Sequence, residues 1–156
     1  MSAAIELDSV DLALLAELQN DARISNKDLA ARVGVAPSTC LARVQRLRQR
    51  GVIHGFRVVL DEKALGNTVE AFLAIQMTPH NQAFVPPFIE ETLRRPGVRE
   101  IFLLTGPDDF MVRVSVQDLN ALQRLVLEHF TTRREIAAVQ TRLIFQSWAG
   151  GPIGPT

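Results

Sequence analysis

The chain has 156 residues, enough for one medium domain or two small ones, each with a core of its own. Its 17 basic and 17 acidic residues cancel, so global charge favours no polyanionic partner and only the local distribution counts. A single cysteine excludes an intramolecular disulfide or a cysteine zinc cluster, and no apolar run approaches the roughly 20 residues that cross a bilayer.

The opening stretch is broken by Glu6, Asp8 and Asp11 and has no basic leader, so it reads as neither signal nor targeting helix. A reducing cytoplasm is the expected compartment. A first helix is predicted from about Asp8, its N-cap, to about Asn20, with Val10, Leu14, Leu15 and Leu18 on one face. Ser25 or Asn26 caps a short second helix, with Leu29, Ala30 and Val33 turned inward and Gly34 as its left-handed stop. Pro37 opens a third helix at the position where its missing N–H is not needed. Cys40, Val44 and Leu47 form the buried stripe of that helix, and Gly51 closes it.

Val52 to Leu60 reads as an extended segment, and residues 60–66 as a joint. The pattern then changes to strands at Val69–Met77, Val98–Thr105, Phe110–Val116 and Val139–Phe145. Helices are predicted over Ala83–Arg95 and Asp118–Phe130, which gives the ferredoxin-like order β-α-β-β-α-β. The Gly- and Pro-rich tail from Ala149 is expected to be flexible. The expected boundaries are a helix-turn-helix domain at 1–54, a linker strand and joint at 55–67, the ferredoxin-like domain at 68–147 and the tail at 148–156.

Between Pro37 and Arg50 the third helix carries Arg43, Arg46, Arg48 and Arg50 with no acidic residue. Two short helices meeting at a tight turn, the second basic, form the geometry that presents side chains to a DNA major groove. With the buried stripe removed, Ser38, Thr39, Ala42, Arg43, Gln45 and Arg46 remain on an outer face that reads as free of acid. Arginine pairs bidentately with guanine, and the small Ala42 permits close approach or touches a thymine methyl. Ser25, Asn26 and Lys27 open the second helix, where free N–H groups favour phosphate, and Pro37 opens the third. Arg48 and Arg50 also suit a helix C-terminus without any DNA.

The chain resembles the Lrp/AsnC (leucine-responsive, feast/famine) family of transcriptional regulators. The matching words are Leu7-Asp8-x-x-Asp11 with Leu14-Leu15, and Leu18-Gln19-x-Asp21-x-Arg23-Ile24-Ser25. They continue through Leu29-Ala30-x-Arg32-Val33-Gly34, Cys40-Leu41-x-Arg43-Val44-x-Arg46-Leu47 and Gly51-Val52-Ile53-x-Gly55-Phe56. The likeness runs from about Leu7 to Phe145. It implies an α+β protein, a winged helix-turn-helix domain followed by a ferredoxin-like (RAM/ACT-like) effector and oligomerisation domain. It also implies double-stranded DNA as a partner, a homodimer assembling to a tetramer or octamer, and an amino-acid effector rather than a cofactor or membrane.

Exposed apolar strand faces independently call for assembly, because a bare sheet is a liability unless covered. Phe72, Ile75, Phe102, Leu104 and Ile144 are the expected covering surface. The turn Thr105-Gly106-Pro107-Asp108-Asp109-Phe110 resembles the family's effector loop. Turn N–H groups can hold a carboxylate and Asp109 can pair with an ammonium, while Pro107 removes one N–H. By the same resemblance Leu103, Leu119, Thr131 and Thr141 line or neighbour the effector site. From residues alone the loop also reads as an ordinary hairpin turn.

His54, His80 and His129 show no metal-ligand spacing, Cys40 reads as a small core residue, and no catalytic or phosphate-binding motif appears, so neither enzyme nor metal site is expected. Two other readings stay open: an architectural DNA protein of little sequence preference, and a sirohaem-decarboxylase-like enzyme. The histidine-rich words of those decarboxylases are not matched by His54-Gly55-Phe56-Arg57.

Overall fold

The computed structural model describes residues 6–78 and 85–154. The chain divides into two compact units, Met1–Val59 with Ala149–Thr156, and Leu60–Trp148.

Three helices build the first unit: α1 (Ser9–Asn20), α2 (Asn26–Val33) and α3 (Pro37–Gln49). Each begins where its sequence says it should. Asp8 caps α1 by accepting the Asp11 N–H, and Ser25 caps α2 by accepting the Asp28 N–H. Pro37 stands at the start of α3. Gly34 ends α2 at φ 71°, a left-handed conformation that costs an L side chain about 1 kcal/mol. That turn crosses the helices so that Leu14, Leu29, Ala30 and Cys40 close one core, with Val10, Leu18, Ile24, Val33 and Val44 packed around it.

Residues 53–60 form no strand within the chain, and Val58 and Val59 stand exposed. One residue of the tail, Ile153, meets α1. The Gln19 side chain donates to the Ile153 carbonyl at 2.9 Å and accepts the Ile153 N–H at 2.7 Å. Ile153 thereby rims an apolar hollow of about 680 Å³ lined by Leu12, Leu15, Leu18, Val52 and Phe56.

The second unit runs β1 (Val69–Met77), α4 (Val85–Leu93), β2 (Val98–Leu103), β3 (Phe110–Val116), α5 (Leu119–Val126) and β4 (Ile136–Ile144). A single π-helical turn, Leu127–Thr131, continues α5. The predicted start of α4 at Ala83, like His80, lies outside the described residues. The strands form one antiparallel sheet in the order β2-β3-β1-β4, the ferredoxin-like arrangement.

Alternation sorts the two faces. Ala71, Leu73 and Ile75 of β1 and Phe110, Val112, Val114 and Val116 of β3 pack with Phe88, Leu122, Leu125 and Phe130 beneath the helices. Phe72, Phe102, Met111 and Ile144 share the opposite face, in register with Arg113 and Arg142. Ile75, expected on that outer surface, is fully buried in the core instead. It stands three residues from Phe72, and an odd spacing puts two side chains on opposite faces of a strand.

Gly97, just before β2, has φ 87°, and a Cβ there would lie 2.9 Å from Val116 Cγ1 and 3.2 Å from the Ser115 carbonyl. Among the described residues no helix is long and apolar enough to cross a membrane, and no cluster of His, Cys, Asp or Glu is arranged to hold a metal.

Candidate nucleic-acid interface and effector loop

On the outer side of α3, Ser38, Thr39, Ala42, Arg43 and Arg46 line one open hollow of about 390 Å³. The residues expected to read DNA are therefore gathered, with Gln45 exposed beside them. The acid-free face is not what the fold delivers. Helix α1 lays two carboxylates across α3. Arg43 Nη1 donates to Asp8 Oδ2 at 2.6 Å and to Asp11 Oδ1 at 2.9 Å. Arg46 Nη2 donates to Asp11 Oδ2 at 2.8 Å and Oδ1 at 3.1 Å.

The two carboxylates differ sharply in access: the Asp11 side chain is 2% exposed and that of Asp8 51%. Hydrogen bonding from Arg43, then from the Asp11 N–H, holds the Asp8 carboxyl below its usual range. Asp8 and then Asp11 raise the Arg43 guanidinium in return.

At the start of α2 the side chains serve the fold. Ser25 Oγ donates to Asp28 Oδ2 at 2.6 Å and accepts the Asp28 N–H, while Asn26 Nδ2 donates to the Pro37 carbonyl at 2.9 Å. The first closes the N-cap and the second ties α2 to the start of α3. Both side chains are thus engaged within the fold, and Lys27 stands exposed beside them. Arg32 bridges α2 to Glu17 of α1 at 2.7 Å.

In the second unit the loop between β2 and β3 is held from inside. The Asp109 N–H donates to the Ile75 carbonyl at 2.9 Å, and the Leu104 N–H donates to the Asp109 carbonyl at 2.9 Å. Asp109 Oδ2 accepts the Met77 N–H at 2.7 Å, next to the register shift between Gln76 and Met77. Asp108 lies 3.5 Å from Arg142 and accepts from Gln76 at 3.4 Å. Gly106 takes φ 126°, which favours glycine, and with Thr105 and Pro107 it faces solvent.

Phe110 is a correction. It is 1% exposed, with its ring centroid 4.9 Å from that of Phe88, so it belongs to the core and not to a ligand surface. Leu103, Leu119, Thr131 and Thr141 are all exposed, but one chain does not gather them. The loop precedes β3 and Leu119 follows it, so the length of Phe110–Val116, roughly 20 Å by strand rise, separates them.

Sequence reasoning took Asp8 as a helix cap and Asp11 as part of a family motif, and missed that both reach across to the arginines of α3. It also missed Arg113 on the open sheet face, which bonds Glu70 at 2.9 Å and Glu100 at 3.4 Å.

A three-helix unit with a tight turn, followed by a ferredoxin-like unit, defines a helix-turn-helix regulator carrying a small-molecule-domain fold. Residues 7–48 match the AsnC-type helix-turn-helix domain, and residues 70–151 match the Lrp/AsnC ligand binding domain. The HTH-type transcriptional regulator AldR of Mycolicibacterium smegmatis is 37% identical over 147 residues, covering 94% of this chain and 86% of that protein. The leucine-responsive regulatory protein of Rhizobium meliloti is 36% identical over 143 residues, covering 92% of each. A transcriptional regulator of Neisseria meningitidis, solved in complex with L-Met, superposes with a TM-score of 0.88 at 25% identity, covering 96% of this chain and 97% of that one. The chain belongs to the Lrp/AsnC family of transcriptional regulators.

Proposed function

We propose that this chain is a sequence-specific DNA-binding regulator whose assembly or operator binding responds to an amino acid or a related small acid. The observation that carries the DNA reading is the hollow on α3, where Ser38, Thr39 and Ala42 lie beside two arginines oriented by α1. Helix α3 enters the major groove, with Arg43 and Arg46 as anchors and Ser38, Thr39 and Gln45 setting register. Lys27 and the N-terminal N–H groups of α2 meet phosphate.

Chains pair as homodimers through the open sheet face, where Phe72, Phe102, Met111 and Ile144 have no covering helix, and dimers associate further into tetramers or octamers. The effector binds where the Gly106–Asp109 loop of one chain meets another. Two observations support a site shared between copies: Leu119 stands far from the loop in its own chain, and the loop acids already serve their own fold. The amino-acid class is supported by the Neisseria relative, which was solved with L-Met.

The test is fluorescence anisotropy with duplex DNA from upstream of the gene, against scrambled duplex, with and without pooled amino acids. Specific binding that moves with the pool is expected, and in Asp109→Asn the pool effect disappears while DNA binding persists. A response unchanged in Asp109→Asn would refute the loop assignment. Binding indifferent to sequence and pool would favour an architectural DNA protein.

A further inference from the structure

Asp8 performs two tasks with two different atoms. Its Oδ1 caps α1 through the Asp11 N–H at 2.9 Å, while its Oδ2 holds Arg43 Nη1 at 2.6 Å. Asp11 is different in kind. It is buried, and it spreads its oxygens over Arg43 and Arg46, so no incoming phosphate can displace it. Each guanidinium gives Asp11 a single terminal nitrogen, Nη1 of Arg43 and Nη2 of Arg46. A guanidinium has five N–H donors in a rigid fork, so the remaining ones stay oriented on the α3 face.

Asp8 closes over that arrangement from the solvent side, on an arginine whose side chain is only 24% exposed. Two carboxylates against two guanidiniums leave the cluster formally neutral. Helix α3 therefore presents fewer net cations than its sequence counts.

We propose that Asp8 is a displaceable electrostatic mask on Arg43, and that Asp11 is the fixed residue positioning Arg43 and Arg46 for nucleic acid. The proposal rests on the DNA-binding reading of α3. A backbone phosphate takes the place of Asp8 Oδ2 on Arg43 when α3 docks, and the released carboxylate lies beside the duplex as a like charge. Wild type thereby forgoes part of the attraction that a free arginine would give every sequence alike. Contacts to phosphate add affinity without sequence information, so masking one arginine suppresses non-specific binding.

Asp8→Asn separates the two tasks, because asparagine caps a helix about as well as aspartate but carries no charge. The full chain is measured against promoter and scrambled duplexes across a salt series. Asp8→Asn should bind both duplexes more tightly, on the order of tenfold at low salt, because no ion pair has to be broken and no carboxylate is left beside the duplex, and the gain should shrink as salt screens that like charge. Asp8→Ser, a second uncharged cap, should behave alike, and a cooperative melt in both variants shows that the fold is intact.

Equal affinities of wild type and Asp8→Asn throughout the salt series would overturn the mask while leaving the regulator reading standing. Weaker binding by Asp8→Asn would overturn it too, making Asp8 a support for Arg43. Heparin, a polyanion without sequence, gives a readout that does not depend on finding the operator. Later elution of Asp8→Asn than wild type supports the mask, and co-elution refutes it. Failure of wild type to bind any duplex, with the elution shift intact, would count against the DNA reading alone.

Discussion

Phe110 is the residue whose two readings diverge most. The loop resemblance puts its aromatic ring at an effector site, whereas the fold puts it in the core against Phe88, with a tilt of 49° between the rings. A buried phenylalanine truncated to alanine costs about 3–5 kcal/mol, from lost transfer energy and a cavity that closes incompletely. The edge-tilted ring pair adds about 0.5–1.5 kcal/mol, recoverable as the coupling in a cycle with Phe88→Leu. Phe110 lies between Ile75 on β1 and Leu103 on β2, so the cavity would open under the loop end of the sheet's helix-covered face. Leu103→Ala is the matched control, because Leu103 is exposed and its loss should move stability by less than about 0.5 kcal/mol. Urea unfolding followed by far-UV circular dichroism reads both. A Phe110→Ala loss below about 1 kcal/mol, or one equal to that of Leu103→Ala, would refute the core assignment.

Gly97→Ala should destabilise by about 2–4 kcal/mol, since left-handed strain adds to a clash with Val116 and the Ser115 carbonyl. Gly34→Ala meets nothing within 4 Å and should lose only about 1 kcal/mol, so equal effects in thermal melts would contradict the packing at Gly97. Asp11→Ala should cost about 2 kcal/mol or more by removing the buried acceptor of two guanidiniums; a melting temperature within a degree of wild type would show that the cluster holds nothing together. Acid should weaken the fold in a defined direction. Asp8 is held low by Arg43, and Glu135 by its own backbone N–H and then by Arg133. The stabilisation from both is complete above the unfolded carboxylate values of about 4 and is lost as pH falls through the lower folded values. Melting temperatures should therefore hold from neutral pH down to about 5 and drop below 4, with a shallower drop in Asp8→Asn; an identical drop would deny Asp8 its part.

Local chemistry made the head legible in advance. Asp8, Ser25, Gly34 and Pro37 are residue types whose preferences concern their immediate backbone, and each stands where its preference put it. The strand and helix order of the body followed from apolar periodicity in the same way. The Asp11 pairing did not, because it joins residues 32 and 35 positions apart, and a helical pattern fixes which face a carboxylate occupies without saying which helix it meets. Counting charge along α3 alone therefore made its outer face look more cationic than it is. Phe110 was misplaced for a related reason. It is the first residue of β3, where a loop motif ends and the alternation that buries it begins. Composition likewise reports no partner for the tail, where Gln19 supplies a donor and an acceptor matched to the backbone of Ile153.

The central claim is that α3 is the surface that meets DNA, and Ala42 tests it most directly. Ala42 is exposed in the α3 hollow and takes no part in the Asp8–Asp11 cluster, so Ala42→Glu puts a carboxylate against the duplex while sparing the core. Anisotropy on the promoter duplex, with melting temperature as the fold control, should show at least a tenfold loss of affinity for Ala42→Glu relative to wild type. Affinity retained within twofold in a fully folded variant would contradict the claim and place the DNA contact elsewhere.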